Sequence, residues 1–196
     1  MSIFEHKDYA NESDFLNNFK LDIPENFNFG FDCVDFLAEN EPERIAAIWD
    51  SDNDEERAWT FAEMKLYSDG IARYLRSLGI GKGDRVMLIL RRRIHFWFAI
   101  VALIKIGAIA IPATHHLVAE DVVYRNKSAS INAIICTDDD KIVSVIEDAQ
   151  DQSKSPGILI RIGEKCLDSY ETKYEWQLLD KGMKENLEGP ALPRVT

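Results

Sequence analysis

The sequence has none of the short motifs by which many nucleotide-binding proteins and hydrolases are recognised. It contains no GxGxxG or GxxxxGK[ST] segment, which would hold phosphates with backbone N–H groups, and no HExxH or GxSxG segment. Its three cysteines, Cys33, Cys136 and Cys166, show no CxxC spacing, and their odd number indicates free thiols. These absences predict no metal site and no catalytic residue within the 196 residues.

Positive charge is outweighed, because 23 Lys and Arg stand against 34 Asp and Glu. The formal net charge of -11 argues against a nucleic-acid partner and against binding to an anionic membrane. The acid is concentrated in residues 1–56, which hold 16 Asp and Glu against three Lys and Arg, whereas residues 82–127 hold eight Lys and Arg against three acids. The pattern has two interpretations: a solvated acidic surface beside a near-neutral core, or a basic rim that meets an anionic ligand such as a nucleotide.

No hydrophobic run is long enough to cross a membrane. The most apolar segment, FWFAIVALIKIGAIAI, is shorter than the roughly 20 residues that a span requires, and Lys105 and Gly107 interrupt it. It predicts a buried helix followed by a buried strand. The acidic N-terminus is not a secretory signal. Together with free thiols, these features predict a cytoplasmic protein.

From residue 82 onward, short apolar strands alternate with helical patterns. The predicted strands are RVMLIL, AIAI, NAIIC and GILIRI, separated by helices at 94–106, at 119–128 and after Thr137, which is expected to cap the third helix. Apolar strands separated by helices are typical of a parallel sheet covered on both faces. The sequence therefore predicts an α/β fold with a mainly parallel sheet flanked by helices.

A small hairpin is predicted ahead of this sheet. Residues Ile45 to Trp49 and Arg57 to Phe61 form two short strands around an acidic turn, and Thr60 with Glu63 forms a capping box for the next helix. Near the other end of the chain, one helix is expected around Tyr174 to Leu179.

Three segments resemble the adenylate-forming acyl-CoA synthetases. In chain order they are WTFAEM (59–64), LGIGKGDRVMLIL (78–90) and IKIGAIAIPAT (104–114). FNFGFDCVD and PATHHLVAEDVVYR further resemble the acetyl- and medium-chain acyl-CoA synthetase group. The resemblance covers roughly residues 27–165, and its motifs are specific as a set rather than singly.

The resemblance implies a division of the chain. Residues 1–30 are expected to be an N-terminal extension, and residues 31–196 the N-terminal α/β lobe of an AMP-binding domain. The segment PRVT near the end resembles the family's sequence shortly before its Ser/Thr/Gly-rich phosphate loop. We therefore expect the chain to be truncated before that loop.

The polar loop after Pro112 is the main candidate site. In the family this loop borders the tunnel for the acyl group and for the pantetheine arm of CoA, which makes Thr114, His115 and His116 candidate tunnel residues. His116 stands where medium-chain members often carry a glutamine. A plain solvated surface is the alternative interpretation. A metal site is disfavoured because adjacent residues seldom face the same way and no acid or cysteine cluster supports them.

Arg92 is the candidate anion-binding residue. Family members usually carry prolines around an arginine after the first strand, and only Arg92, between Arg91 and Arg93, matches that pattern. A solvated loop is the alternative interpretation.

The implied parent enzyme is an acid–thiol ligase of fatty acid metabolism. It would use ATP, Mg and CoA to convert a small carboxylic acid, acetate or a short- or medium-chain acid, into its CoA thioester with release of AMP and pyrophosphate. The present chain lacks the phosphate loop, so it is expected to be inactive and to bind no cofactor tightly. The alternatives are the lobe of an aryl- or amino-acid-adenylating enzyme and a stand-alone, non-catalytic binding fragment. An apolar face left without its partner predicts a homo-oligomer.

Overall fold

The computed structural model describes residues 8–20, 23–50, 56–154, 156–163 and 171–195. Cys166 and most of the predicted acidic turn lie outside these residues. The helices are α1 (Glu12–Asn18), a π-helical segment (Gly30–Asp35) continued by α2 (Phe36–Asn40), α3 (Phe61–Ser77), α4 (His95–Ile106), α5 (Ala119–Ala129), α6 (Asp140–Ser153) and α7 (Leu179–Glu185). The strands are β1 (Ile45–Asp50), β2 (Glu56–Thr60), β3 (Arg85–Ile89), β4 (Ile109–Pro112), β5 (Ala133–Cys136), β6 (Ile158–Arg161) and β7 (Gln177–Leu178).

Five strands form one parallel sheet in the order β4-β3-β5-β6-β7, and β1 and β2 form a separate antiparallel hairpin. Strand β3 is an interior strand, because Val86 pairs with Ala110 on one side and with Ala133 on the other. The predicted α/β class, the parallel sheet and the hairpin are confirmed.

The sheet separates two apolar layers. Val86 and Leu88 of β3 face the layer that includes α3, α4 and α7, while Met87 and Ile89 face the layer that includes α5 and α6. Val86 to Ile89 are all buried because helices cover both faces, which is why β3 is apolar throughout rather than alternating. Cys136 lies in the second layer, and its complete burial raises the pKa of the thiol.

The hairpin leads directly into α3. The predicted capping box is confirmed: the Thr60 hydroxyl accepts from the Glu63 N–H at 3.2 Å, and the Glu63 carboxylate accepts from the Thr60 N–H at 2.9 Å. The buried Trp59 ring lies 5.6 Å from Tyr67 and 5.1 Å from Phe98, which anchors β2 on α3 and α4. These contacts fix the hairpin beside the N-terminus of α4.

Four charged residues form what we call the buried ion box. Lys105 of α4 is fully buried, and its Nζ lies 2.6 Å from Asp35 Oδ1 and 2.5 Å from Asp69 Oδ1. Lys65 Nζ completes the box, 2.7 Å from Asp69 and 3.2 Å from Asp35. Two cations therefore face two carboxylates, and the box joins the π-helical segment to α3 and α4.

The helix expected around Tyr174 to Leu179 is wrong. Residues Gln177–Leu178 form β7 instead, and α7 begins only at Leu179. The physical reason is the buried Glu147 of α6, whose Oε1 accepts from the Lys173 N–H at 2.9 Å and from the Trp176 indole N–H at 2.9 Å. This distant carboxylate holds the segment extended, so that it can pair with β6.

Candidate functional site

The sheet changes winding direction at one point. After β3 the chain crosses to β4 on one side, and after β4 it crosses back to β5 on the other side of β3. The loops that follow β3 and β5 therefore start side by side at the carboxyl edge and then run in opposite directions. In open α/β sheets, ligands bind at this switch point, outside the carboxyl ends of the strands.

Two loops meet at the switch point through side chains. The Thr137 hydroxyl accepts a hydrogen bond from the Arg91 N–H at 2.9 Å, and Arg91 Nη1 lies 3.4 Å from Asp139 Oδ2. Asp139 Oδ1 also accepts from the Ile142 N–H at 3.2 Å, so Asp139 is the N-cap of α6. The expected cap, Thr137, is therefore wrong, because its hydroxyl is used by the loop after β3.

The N-terminus of α6 adds an electrostatic feature to this edge. The free N–H groups of a first helical turn carry partial positive charge, which favours anions nearby. Lys141, exposed in that turn, and Arg91 add two full positive charges. The helix N-terminus, Arg91 and Lys141 can each contact an anionic group, but Asp139 and Asp140 of the same turn balance the two full positive charges.

The loop after β4 places the two histidines beside this edge. Their rings lie 4.0 Å apart, centroid to centroid, at 39°, and the Thr114 hydroxyl accepts from the His116 N–H at 3.3 Å. His115 and Lys141 line a small depression of about 10 Å³ with apolar residues of α5 and α6. That volume suits one water molecule. The described residues thus form an open surface with a small depression rather than an enclosed tunnel.

The electrostatics of His115 link it to the switch point. Desolvation lowers its pKa below the ordinary value of 6.5, and the charges of His116, Arg91 and Lys141 lower it further, while Asp139 opposes them. His115 is therefore neutral at pH 7 and can both donate and accept a hydrogen bond.

Within the part of the chain that the structure describes, Arg92 makes no hydrogen bond or ion pair with either histidine. Its side chain is exposed and lines a cleft with Trp49 and Trp97, between the hairpin and α4. Arg91 is the arginine whose charge acts on His115. The roles of Thr114, His115, His116 and Arg92 stay predictions.

Sequence reasoning missed Arg91, Asp139 and Lys141. A signal was present, because Arg91 and Asp139 each follow the end of a predicted parallel strand, and such ends meet at one sheet edge. The strand order that makes the two loops neighbours was not predicted. Among the described residues, no group of three or more His, Cys, Asp or Glu side chains could hold a metal ion. Within the same ranges, no helix has the length and apolarity of a membrane span.

The chain is similar to one known family and to several known enzymes. A family model described as AMP-binding enzyme matches residues 35–192. Human mitochondrial acyl-coenzyme A synthetase ACSM3 is 36% identical over 138 residues, which is 67% of this chain and 24% of that protein. Rat mitochondrial acyl-coenzyme A synthetase ACSM5 is 34% identical over 125 residues, 61% of this chain and 22% of its own length. Human mitochondrial acyl-coenzyme A synthetase ACSM2A is 28% identical over 155 residues, 76% of this chain and 26% of that protein. The chain spans about a quarter of the length of these relatives.

Proposed function

Because this chain belongs to the AMP-binding enzyme family, we propose that it is part of an AMP-forming acyl-CoA synthetase and that its carboxyl edge binds CoA. The substrate is a small carboxylic acid, acetate or a short- or medium-chain acid. The relatives' names support the acyl-CoA synthetase branch, and no contact in the structure favours an aryl- or amino-acid-adenylating enzyme or a stand-alone binding fragment.

The proposed reaction has two steps. A carboxylate oxygen attacks the α-phosphorus of ATP, which forms the acyl-adenylate and releases pyrophosphate. The CoA thiolate then attacks the acyl carbon, which forms the thioester and releases AMP. Magnesium ions would balance the charge of the ATP phosphates, but the described residues hold no cluster that fits a metal. We assign neither the metal nor the adenylation chemistry to residues of this chain.

The role of this chain is to position CoA. The switch point gathers Arg91, Lys141 and the N-terminus of α6, which can contact the anionic groups of CoA next to Asp139 and Asp140 of the same turn. The neutral His115 and the neighbouring His116, whose rings are tilted by 39° to one another, present ring nitrogens beside them. One edge can therefore hold the phosphates and guide the uncharged pantetheine arm past the histidines. The proposal rests mainly on one observation: the loops after β3 and β5 meet at the switch point of the sheet, in a chain that belongs to this family.

Titration of the ¹⁵N-labelled chain with CoA, followed by NMR, tests the assignment. We expect weak, saturable shifts confined to residues 113–118 and 139–142, and smaller shifts in the variant His116→Ala. The loss of one hydrogen bond is worth about 1 kcal/mol, roughly fivefold in affinity. Lys127→Ala serves as the control, because Lys127 is an exposed residue of α5 outside the proposed site. Shifts spread over the whole chain, or an unchanged affinity of His116→Ala, would contradict the proposed site.

A second measurement separates the two steps in an enzyme that contains this lobe together with a phosphate loop. Replacement of His116 by tryptophan is expected to impair thioester formation more than pyrophosphate exchange, because adenylation is complete before the pantetheine arm must pass. Equal losses in both steps, or no loss in either, would leave His116 as a surface residue.

A further inference from the structure

An open groove separates the hairpin from the start of α4, and we call it the arginine groove. It has a volume of about 330 Å³, and its apolar walls include Ile48, Trp49 and Trp97. Ile48 is 65% exposed and Trp97 is 54% exposed. Large apolar side chains that line a groove at the surface are typical of a binding surface.

The charges of this groove are of one sign. Its lining has three arginines, Arg91 to Arg93, and no acidic residue. Arg91 is engaged by Asp139. The guanidinium groups of Arg92 and Arg93 are exposed and form no ion pair with any residue that the structure describes. The indole N–H of Trp49 donates to the Arg92 carbonyl at 3.4 Å, which joins this loop to β1.

The helix α1 has the opposite character. None of its residues is buried, although several are large and apolar. Phe15, Leu16 and the following Phe19 are 41%, 70% and 49% exposed. The rings of Phe15 and Phe19 stack at 4.9 Å, and Tyr9 meets Phe15 edge-on at 5.2 Å. Residues 8–20 carry three acids, Asp8, Glu12 and Asp14, against Lys20 alone. This segment is thus an acidic helix with an aromatic face that the fold leaves uncovered.

We propose that α1 of one copy of the chain binds in the arginine groove of a second copy. The aromatic face of α1 would cover Ile48 and Trp97, and its acids would face Arg92 and Arg93. An amphipathic helix in an apolar groove is a common recognition mode, and charges at the rim set its specificity. The two surfaces are present on every copy, so the contact produces self-association. A seven-residue helix is marginally stable alone, so binding also stabilises α1.

Sedimentation velocity over a wide range of protein concentration tests this contact. The wild-type chain is expected to associate in a concentration-dependent manner. Phe15→Ser/Leu16→Ser and Arg92→Glu/Arg93→Glu should each weaken association about tenfold or more. Lys127→Glu/Lys181→Glu is the matched control, because it reverses two exposed charges elsewhere and gives the same net charge as the groove variant. The control should associate like the wild type, and circular dichroism should show that all variants are folded.

Mixing the variants identifies the two surfaces directly. The helix variant keeps an intact groove and the groove variant keeps an intact α1, so a mixture of the two should form a complex that neither forms alone. A monomeric wild type at every concentration, a control as weak as the groove variant, or a mixture without any complex would each overturn the proposal.

Discussion

At the scale of single residues, Lys105 is expected to have a large effect on stability, because it is a fully buried charge. Lys105→Met would leave Asp35 and Asp69 facing each other with the buried cation removed. Loss of one partner of a buried ion pair costs about 3–5 kcal/mol. Urea unfolding of the two proteins should show this loss as a lower midpoint.

Lys65→Met is the control for that experiment. The Lys65 side chain is 33% exposed, so water can partly replace it, and Lys105 remains to balance the carboxylates. The expected loss is clearly smaller than for Lys105→Met. Equal losses would contradict the view that burial sets the importance of these charges.

The pH dependence of His115 is a second prediction at this scale. Its pKa is lowered below 6.5 in the folded chain, mainly by desolvation. The unfolded chain therefore binds the proton more readily, and the His115 contribution to stability declines as the pH falls below about 6.5. An NMR titration should place its midpoint below that value. Arg91→Ala should raise the midpoint, because it removes a nearby positive charge. Arg76→Ala on α3 is the control and should leave the midpoint unchanged. A midpoint above 6.5 in the wild type would contradict the described surroundings of His115.

At the scale of the element, Glu147 decides the conformation of residues 173–178. Glu147→Ala should cost about 3 kcal/mol, because it leaves buried N–H groups of this segment without their charged acceptor. Hydrogen exchange of the Leu178 amide, which lies in β7 beside β6, should become faster. Glu147→Gln keeps a carbonyl acceptor and should lose less.

Asp151→Ala provides the comparison on the same helix. Asp151 is exposed and accepts from the Tyr174 hydroxyl at 2.6 Å, in the same segment. An exposed pair contributes little, within about 1 kcal/mol. If Asp151→Ala speeds exchange in β7 as much as Glu147→Ala does, the segment is not held by the buried carboxylate.

The elements also show what the sequence could predict. The strands β3 to β6 and the helices between them were predicted within about two residues, because their signal is local: apolar runs buried on both faces, with polar caps. The helix expected around Tyr174 failed because Glu147 acts from a distant part of the chain. The shift of the α6 cap from Thr137 to Asp139 has the same cause, since Arg91 uses the Thr137 hydroxyl. Thr114, His115 and His116 came from the resemblance, whereas Arg91 and Lys141 required the strand order.

At the scale of the whole molecule, the 196-residue chain is expected to show no exchange of pyrophosphate into ATP with acetate, butyrate or related acids. The sequence contains no glycine-rich loop to hold the phosphates with backbone N–H groups. The assay should run beside a family enzyme that has this loop. Exchange clearly above background in the present chain would mean that other residues perform adenylation.

The buried ion box has a consequence for the order of folding. Asp69 and Lys105 belong to α3 and α4, which pack together in the first apolar layer. Asp35 lies in the π-helical segment, which precedes both helices in the chain. The attraction between Asp35 and Lys105 becomes strong only in the low-dielectric interior that α3 and α4 form, so Asp35 gains little until the two helices are in place. The N-terminal segment should therefore dock late during folding. Since elements that join last commonly open first, amides of residues 30–40 should exchange through a local opening before the parallel sheet unfolds.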